Sequence, residues 1–517
     1  MRMQKRLIQP TIFSLAICAL FLANAFAATA AAERIRFKVG INDALAQGAV
    51  SGRLLIFMTS QAKTGEMLEP DFLNPRSVWT TGMEVHNLEA GKPIEVDPDA
   101  LSFPAPFSRA PAGNYQLMAL LDLNHSYTYD GAGAGDLYSA VTTLPNLNPS
   151  STQPIELTLT KRVPEQTISD TDSIKLVNFE SPSLTKFWGR PIKMLAGVVL
   201  PPDYTKSKAT RFPTVYNVHG YGGSHLTAWR RGPELVKQMK EGKTPEMIYV
   251  FLNAGFPLGH HVFADSANNG PWGHALTTEL IPYLEKQFRM DAVPSGRLLT
   301  GHSSGGWSTL WLEVNYPEVF GGTWSTSPDS SDFRNFTGPD LTRTPPQNLY
   351  RRADGTPYNL VRYQGREIMT LEEYAHMERV LGYYGGQFAS FDAVFSPRGA
   401  DGQPMQLFDR DTGRIDPFVQ KAWERYDISR ILRQNWTTLG PRLRGKLHII
   451  VGTADTFHLD EAARLLGDTL KELGSDAKVE FVEGRSHFDL YKGGLTERIA
   501  REMYAVARPK AGKAAQH

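Results

Sequence analysis

The stretch from Leu298 to Val314 restricts the possible fold more than any other part of the chain. Leu298-Leu299-Thr300 reads as the end of a buried strand. Gly301-His302-Ser303-Ser304-Gly305 reads as a tight turn, and Gly306-Trp307 through Val314 as an apolar helix. A strand that becomes a helix within five residues brings two backbones together, and only small side chains fit between them. The pattern G-x-S-x-G alone recurs by chance, and a Gly-rich turn of a dinucleotide-binding unit is the plainer alternative. The strand before it and the helix after it favour a turn that lifts Ser303 above the carboxyl edge of a parallel sheet, beside the positive end of a helix.

The rest of the C-terminal two thirds fits such a sheet. Apolar runs at Ile192–Leu200, Thr214–His219, Met247–Leu252, Arg297–Thr300, Gly322–Ser325, Leu447–Val451 and Val479–Val482 predict strands. Ala275–Phe288, Gly305–Asn315, Asp460–Leu473 and Leu495–Ala507 predict helices between them. Short apolar strands alternating with helices predict an α/β doubly wound, mostly parallel sheet covered on both faces. The rhythm breaks after Ser325, and the next convincing strand begins at Leu447. So long a gap predicts an inserted cap over about 329–440 with elements of its own, including helices at Leu371–Leu381 and Pro417–Arg433. The insertion is rich in rings, among them Tyr383 and Tyr384, which are candidates to face a substrate.

Before this lies a different texture. From Glu33 to about Lys161 the chain shows short alternating strands separated by Pro, Gly, Asn and Asp clusters, so residues 33–161 predict a small all-β, sandwich-like module. Asp122, Asn124, Asp130 and Asp136 lack the regular spacing of a calcium loop and read better as turn chemistry. A Pro-containing stretch around Val163–Asp172 predicts the boundary, with the α/β unit spanning 174–517. At the extreme N-terminus Arg2, Lys5 and Arg6 precede the apolar run Ile12–Leu22 and the small-residue motif Ala25-Phe26-Ala27, with a second possible cut after Ala32. Residues 1–27 therefore predict a cleaved signal peptide and an exported product, periplasmic or secreted. The apolar run is short for a membrane span, and Ile17 before Cys18 argues against a lipoprotein.

Composition narrows the function. The 55 basic and 54 acidic side chains balance, which argues against a nucleic-acid partner. The single cysteine, Cys18, falls in the signal segment, so neither a disulfide framework nor a thiolate metal site is available. No metal or cofactor is expected.

A serine hydroxyl needs a base, and the base needs an acid to orient it. In the chain order Ser, acid, His, the loops beyond the last two strands are the places to look. The first contains Gly452-Thr453-Ala454-Asp455 and the second Glu483-Gly484-Arg485-Ser486-His487. Of 13 histidines, His487 alone has that address. His448 lies within a strand, His274 and His302 flank helices or the turn, and His260-His261 sits in a loop that could line a pocket. Asp455 is the candidate acid, with Asp329 in reserve, and Asp460 is placed to cap the following helix. His219-Gly220-Tyr221-Gly222-Gly223 follows another strand and resembles an oxyanion-binding loop. The backbone N–H groups of Tyr221 and Ser304 are the candidate donors, with Gly222 as the alternative to Tyr221. Phe263-Ala264-Asp265-Ser266 and Gly270-Pro271-Trp272 sit where substrate contacts often lie, and Trp272 is a candidate contact.

These motifs, together with Glu279-Leu280-Ile281-Pro282 and Gly306, resemble an α/β-hydrolase of the esterase D type from about Lys186 to Arg508, apart from the insertion. That group includes feruloyl, acetyl and siderophore esterases and mycolyl-type acyltransferases. The resemblance implies a triad of Ser303, Asp455 and His487, and cofactor-free hydrolysis of a carboxylic ester through an acyl-enzyme. The expected substrate is a small or carbohydrate-linked ester of a sugar, a phenolic acid or a similar polar molecule. The cap and the β-module are outside the minimal family pattern, so substrate class does not carry over. A serine peptidase of the prolyl-peptidase-like type would share the turn, although the front module is too short for a propeller. An acyltransferase would share the triad, and a non-catalytic binding protein would have no need of it.

Overall fold

The computed structural model describes residues 34–45, 48–151, 153–206 and 208–509. The expected signal peptide, with Cys18 and both cut sites, lies outside the described residues. Two large sheets dominate. The first contains β1 (Phe37–Ile41), β2 (Val50–Thr59), β3 (Val78–Leu88), β4 (Ile94–Val96), β5 (Ser102–Phe103), β6 (Gly113–Asp122), β7 (Leu137–Ser139), β8 (Thr142–Leu147) and β9 (Ile155–Arg162). Its order is β4-β1-β9-β7-β6-β2-β3-β5, with β8 also on β6, and every pairing is antiparallel except β1 with β9. Alternate residues of β2 serve two cores. Leu54, Ile56 and Met58 pack inward with Phe37, Val39 and Leu117. Leu55 and Phe57 face the other way and join the core of the 329–440 segment. The period of two that identifies a strand here buries both faces.

The second sheet contains β10 (Ile174–Glu180), β11 (Lys193–Val199), β12 (Thr214–Val218), β13 (Ile248–Leu252), β14 (Arg297–His302), β15 (Gly322–Thr326), β18 (Leu447–Gly452) and β19 (Lys478–Val482); β16 (Asn359–Tyr363) and β17 (Arg366–Thr370) form a separate hairpin between them. The order is β10-β11-β13-β12-β14-β15-β18-β19. The first two junctions are antiparallel, and from β13 onward all are parallel. All residues of β13, β15 and β18 are buried, as expected for strands covered on both faces. Every parallel strand ends on one edge, and the helix starts and loops collect there.

The main helices are α1 (Tyr127–Asp130), α2 (Thr227–Lys240), α3 (Ser304–Asn315), α4 (Leu371–Leu381), α5 (Gln387–Phe395), α6 (Ile428–Leu443), α7 (Leu459–Glu472) and α8 (Leu495–Ala507). The segment read as one helix over Pro417–Arg433 is two, because Glu424–Tyr426 tightens and Asp427 starts α6 by accepting from Arg430 N–H. Every residue from Ser304 to Val314 is buried, because α3 is sandwiched between the sheet and the 329–440 segment. Trp307 meets Phe395, and Trp311 meets Tyr426, at ring separations of 5.2 and 5.3 Å. Among the described residues no helix is long and apolar enough to cross a membrane.

Candidate active site

Ser303 sits between β14 and α3 at φ 60°, ψ −126°, a conformation that costs a non-glycine residue energy and persists only where the surroundings enforce it. The flanking glycines show what enforces it. A Cβ on Gly301 would lie 2.2 Å from Gly305 O, and one on Gly305 would lie 2.0 Å from Val218 O. Ser303 N–H donates to Thr326 O at 3.0 Å, and Ser303 O accepts from Asp329 N–H at 3.2 Å. The turn is thus tied on both sides to β15 and its exit.

Past β18, a turn brings Asp455 to the same edge. Gly452 has no room for a side chain, since a Cβ would lie 2.0 Å from Arg485 O in the neighbouring loop. Thr453 N–H donates to Val482 O, and Ala454 N–H to Arg485 O, both at 3.0 Å, which ties the two loops together. Asp455 Oδ2 lies 2.9 Å from His487 Nδ1, and both side chains are buried. Asp455 Oδ1 accepts from Phe457 N–H at 2.9 Å. Burial pushes this carboxyl up, but the His487 ring and these donors outweigh it and hold it below the usual range. A carboxylate at Nδ1 fixes the tautomer that leaves Nε2 free to accept a proton.

Ser303, His487 and Tyr221 open on one cavity of about 660 Å³. Ser303 Oγ lies 3.5 Å from Asp329 Oδ1 and, among the described residues, makes no hydrogen bond to His487. Catalytic hydrogen bonds often close only with substrate in place. Asp329, the reserve acid, lies on the Ser303 side of the cavity and makes no hydrogen bond to His487 among the described residues. It accepts from Ser304 Oγ at 2.6 Å and from Gln387 Nε2 at 3.4 Å, and burial raises it to about 6. His302 packs against the His487 ring at 4.3 Å, and burial, then the neighbouring His487, push it down to about 3, so it stays neutral.

The His219–Gly223 turn packs directly on Ser303, for a Cβ on Gly220 would lie 3.2 Å from Ser303 Cβ. His219 Nε2 accepts from Ala254 N–H at 2.9 Å, so Nδ1 carries the proton and donates to Gly220 O at 2.7 Å. Burial pushes this ring down to about 4, which keeps it neutral. Ser304 begins α3, so its N–H has no partner within the helix.

Four expectations fail. Trp272 does not reach the cavity. It is buried, stacks on His261 at 3.7 Å and donates to Asn269 O, because its flat ring fills the core behind the sheet edge. Tyr383 and Tyr384 line a different cavity of about 410 Å³, against Arg53, Glu84 and His125 of the first sheet region, where Arg410 faces the Tyr383 ring and the Tyr383 hydroxyl lies 3.4 Å from Asp392 Oδ2. Asp460 does not cap α7. The helix begins at Leu459, and the Asp460 carboxylate pairs with Arg362 Nη2 at 2.7 Å. Arg362 also donates to Asp455 O at 2.7 Å and Thr453 O at 3.2 Å, so β16 clamps the acid-bearing loop. The paired histidines His260 and His261 are likewise buried away from the cavity, with His260 Nε2 donating to His219 O at 3.0 Å.

The walls come instead from Phe336, Leu360, Tyr374, Gln387, Phe388 and Phe391 of the 329–440 segment, from Phe457 and Phe488 beside Asp455 and His487, and from Phe72 of the first sheet region. Phe457 and Phe488 could have been found from sequence, since they adjoin Asp455 and His487. Phe72 carries no such signal.

A family model described as "Putative esterase" matches residues 189–465. An endo-1,4-beta-xylanase/feruloyl esterase of Xylanibacter ruminicola is 28% identical over 159 residues, which is 28% of this chain and 21% of that protein. The chain thus spans about a fifth of that relative's length. A ferulic acid esterase structure matches at 14% identity and TM-score 0.42, covering 64% of this chain and 98% of the other. An S-formylglutathione hydrolase from Agrobacterium tumefaciens matches at 14% identity and TM-score 0.38, covering 65% and 94%.

Proposed function

The chain belongs to this esterase family and is a carboxylic ester hydrolase, and from that premise we propose that it is an exported serine esterase with Ser303 as nucleophile, His487 as base and Asp455 as the orienting acid. The observation that carries this reading is the buried 2.9 Å contact between His487 Nδ1 and Asp455, opening on the same cavity as the strained Ser303. Ser303 Oγ attacks the ester carbonyl while its proton passes to His487 Nε2. The oxyanion accepts from the N–H groups of Tyr221 and Ser304. Collapse breaks the bond to the alcohol, which leaves with the proton from His487. Water then repeats the sequence on the acyl-enzyme and releases the acid.

The substrate class follows from the walls. Rings on several sides with Gln387, Asp329 and Arg231 among them suit an ester with one flat aromatic part and hydroxyl groups. The feruloyl esterase named among the relatives fits that description. Export is supported by the basic start, apolar run and Ala25-Phe26-Ala27 of the first 27 residues. The test is a panel of methyl hydroxycinnamates, acetylated sugars and matched amides, assayed with wild type and Ser303→Ala. The proposal expects ester cleavage, fastest on the aromatic esters and lost in Ser303→Ala. Cleavage of amides without esters would favour the peptidase reading, and equal rates in the variant would remove Ser303 from the mechanism.

A further inference from the structure

The turn that carries Tyr221 is held from outside its own sheet. The Tyr221 O–H is shared between two carbonyl oxygens, Thr128 O and Gly385 O, each at 2.7 Å. Thr128 belongs to α1 of the N-terminal β region, and Gly385 to the 329–440 segment. Tyr129, the next residue of α1, packs edge-on against the Tyr221 ring at 5.0 Å, and its hydroxyl lies 3.5 Å from Gly223 O. The turn is tight against this support, since a Cβ on Gly222 would come within 3.2 Å of Tyr129 O.

The support is itself fixed. Asp122, at the end of β6, accepts from Tyr127 N–H at 2.9 Å and Ser126 N–H at 3.2 Å, which sets the start of α1. Thr128 Oγ1 donates to Gly382 O at 2.8 Å, joining α1 to the same stretch that contains Gly385. Three separate parts of the chain therefore meet at one phenol, one residue from the glycine that packs on Ser303. Sharing one O–H between two part-buried carbonyls from different parts of the chain makes the position of that side chain costly to change.

We propose that Tyr221 is a positioning residue: its phenol docks the oxyanion turn on α1 and on the Gly382–Gly385 stretch, so that the N-terminal β region is part of the catalytic apparatus and not a separable appendage. This rests on the reading of Tyr221 N–H as an oxyanion donor. The backbone donor stays in the chain when the phenol loses its oxygen, but its aim is loosened. Removing such a donor outright costs on the order of 10²–10³ in kcat, so loosening it should cost less, about ten-fold.

Tyr221→Phe and Tyr129→Phe each remove one oxygen and leave the ring packing, and both are read three ways. In Tyr221→Phe, kcat on a short p-nitrophenyl ester should fall about ten-fold with KM little changed. Affinity for phenylboronic acid, which forms a tetrahedral anion on a serine hydroxyl, should fall by a similar factor. Amide hydrogen exchange over residues 219–223 should accelerate while that of β14 does not, with Tyr129→Phe showing the same change more weakly. Unchanged exchange at 219–223 in both variants overturns the proposal, as does faster exchange with wild-type kcat and boronate affinity. Failure of the esterase reading looks different, because the wild type would then bind no boronate and cleave no ester, while the exchange measurement would still decide whether Tyr221 fixes the turn.

Discussion

Replacing Asp455 by Asn isolates one contact whose geometry fixes the outcome. Asp455 is fully buried, with one oxygen 2.9 Å from His487 Nδ1 and the other accepting from Phe457 N–H at 2.9 Å and Leu459 N–H at 3.4 Å. In Asp455→Asn the amide oxygen must stay on the two backbone donors, since turning it would set N–H against N–H. The amide NH₂ then faces Nδ1, and His487 can meet it only by offering a lone pair there. Its proton moves to Nε2, where it blocks acceptance of the Ser303 proton. Loss of the base tautomer lowers kcat by about 10⁴, or about 5.4 kcal/mol of transition-state stabilisation. The fold should be kept, because every buried group still has a partner. Asp329→Asn is the matched control: its carboxylate accepts from Ser304 Oγ and, at 3.5 Å, from Ser303 Oγ but touches no histidine nitrogen, so kcat should fall far less than in Asp455→Asn. Steady-state kinetics on p-nitrophenyl acetate and a thermal melt of both variants suffice. Near wild-type kcat in Asp455→Asn, or a larger loss in Asp329→Asn, refutes the assignment.

Asp460→Ala should cost about 1–3 kcal/mol of stability by leaving the Arg362 guanidinium without its carboxylate, with kcat reduced less than in Asp455→Asn; a melt unchanged from wild type would show that the clamp does not matter. Phe488 is 61% exposed yet lines the cavity, so Phe488→Ala should leave the melt within a degree or two while lowering kcat/KM for aromatic esters by about two- to ten-fold, the worth of one ring contact. Tyr383→Ala and Tyr384→Ala should leave selectivity among esters unchanged, because they line the other cavity. Glu313 is fully buried and, among the described residues, neither carboxylate oxygen is hydrogen-bonded; burial raises it to about 8, with Lys446 at 3.5 Å pulling the other way. The folded chain therefore holds a proton that the unfolded chain releases from about pH 4.5, and stability is lost as pH rises from there through about 8. Melts of Glu313→Gln across that range should show a shallower loss than wild type; equal slopes would contradict it.

Much of the hydrolase sheet was legible because buried parallel strands are short apolar runs with turns at both ends. The turn at Ser303 was legible because backbone contact at Gly301 and Gly305 admits no side chain. That Asp455 and His487 meet was legible from their address, one loop past each of the last two strands. What escaped had no local signal. The helix Thr227–Lys240 carries Pro233 in its interior, which argues against a helix when read alone. Gln387–Phe395 is buried from Phe388 to Phe395 and so shows no amphipathic period. Phe72, Arg362 and the Tyr221 phenol act through contacts between residues far apart in sequence, which no pattern of spacing records. Trp272 and the Tyr383–Tyr384 pair are rings in segments near the catalytic edge, and neither ring chemistry nor place along the chain says which cavity a ring faces.

The most direct test of the central claim is the site at which a fluorophosphonate attaches. The mature protein is incubated with the probe, digested and mapped by mass spectrometry, with His487→Ala and Ser303→Ala alongside. Stoichiometric label on the peptide containing Gly301–Gly306, located on Ser303, sharply slowed in His487→Ala and absent in Ser303→Ala, is the result expected. Label on another residue, or labelling of Ser303 at the same rate without His487, would contradict it.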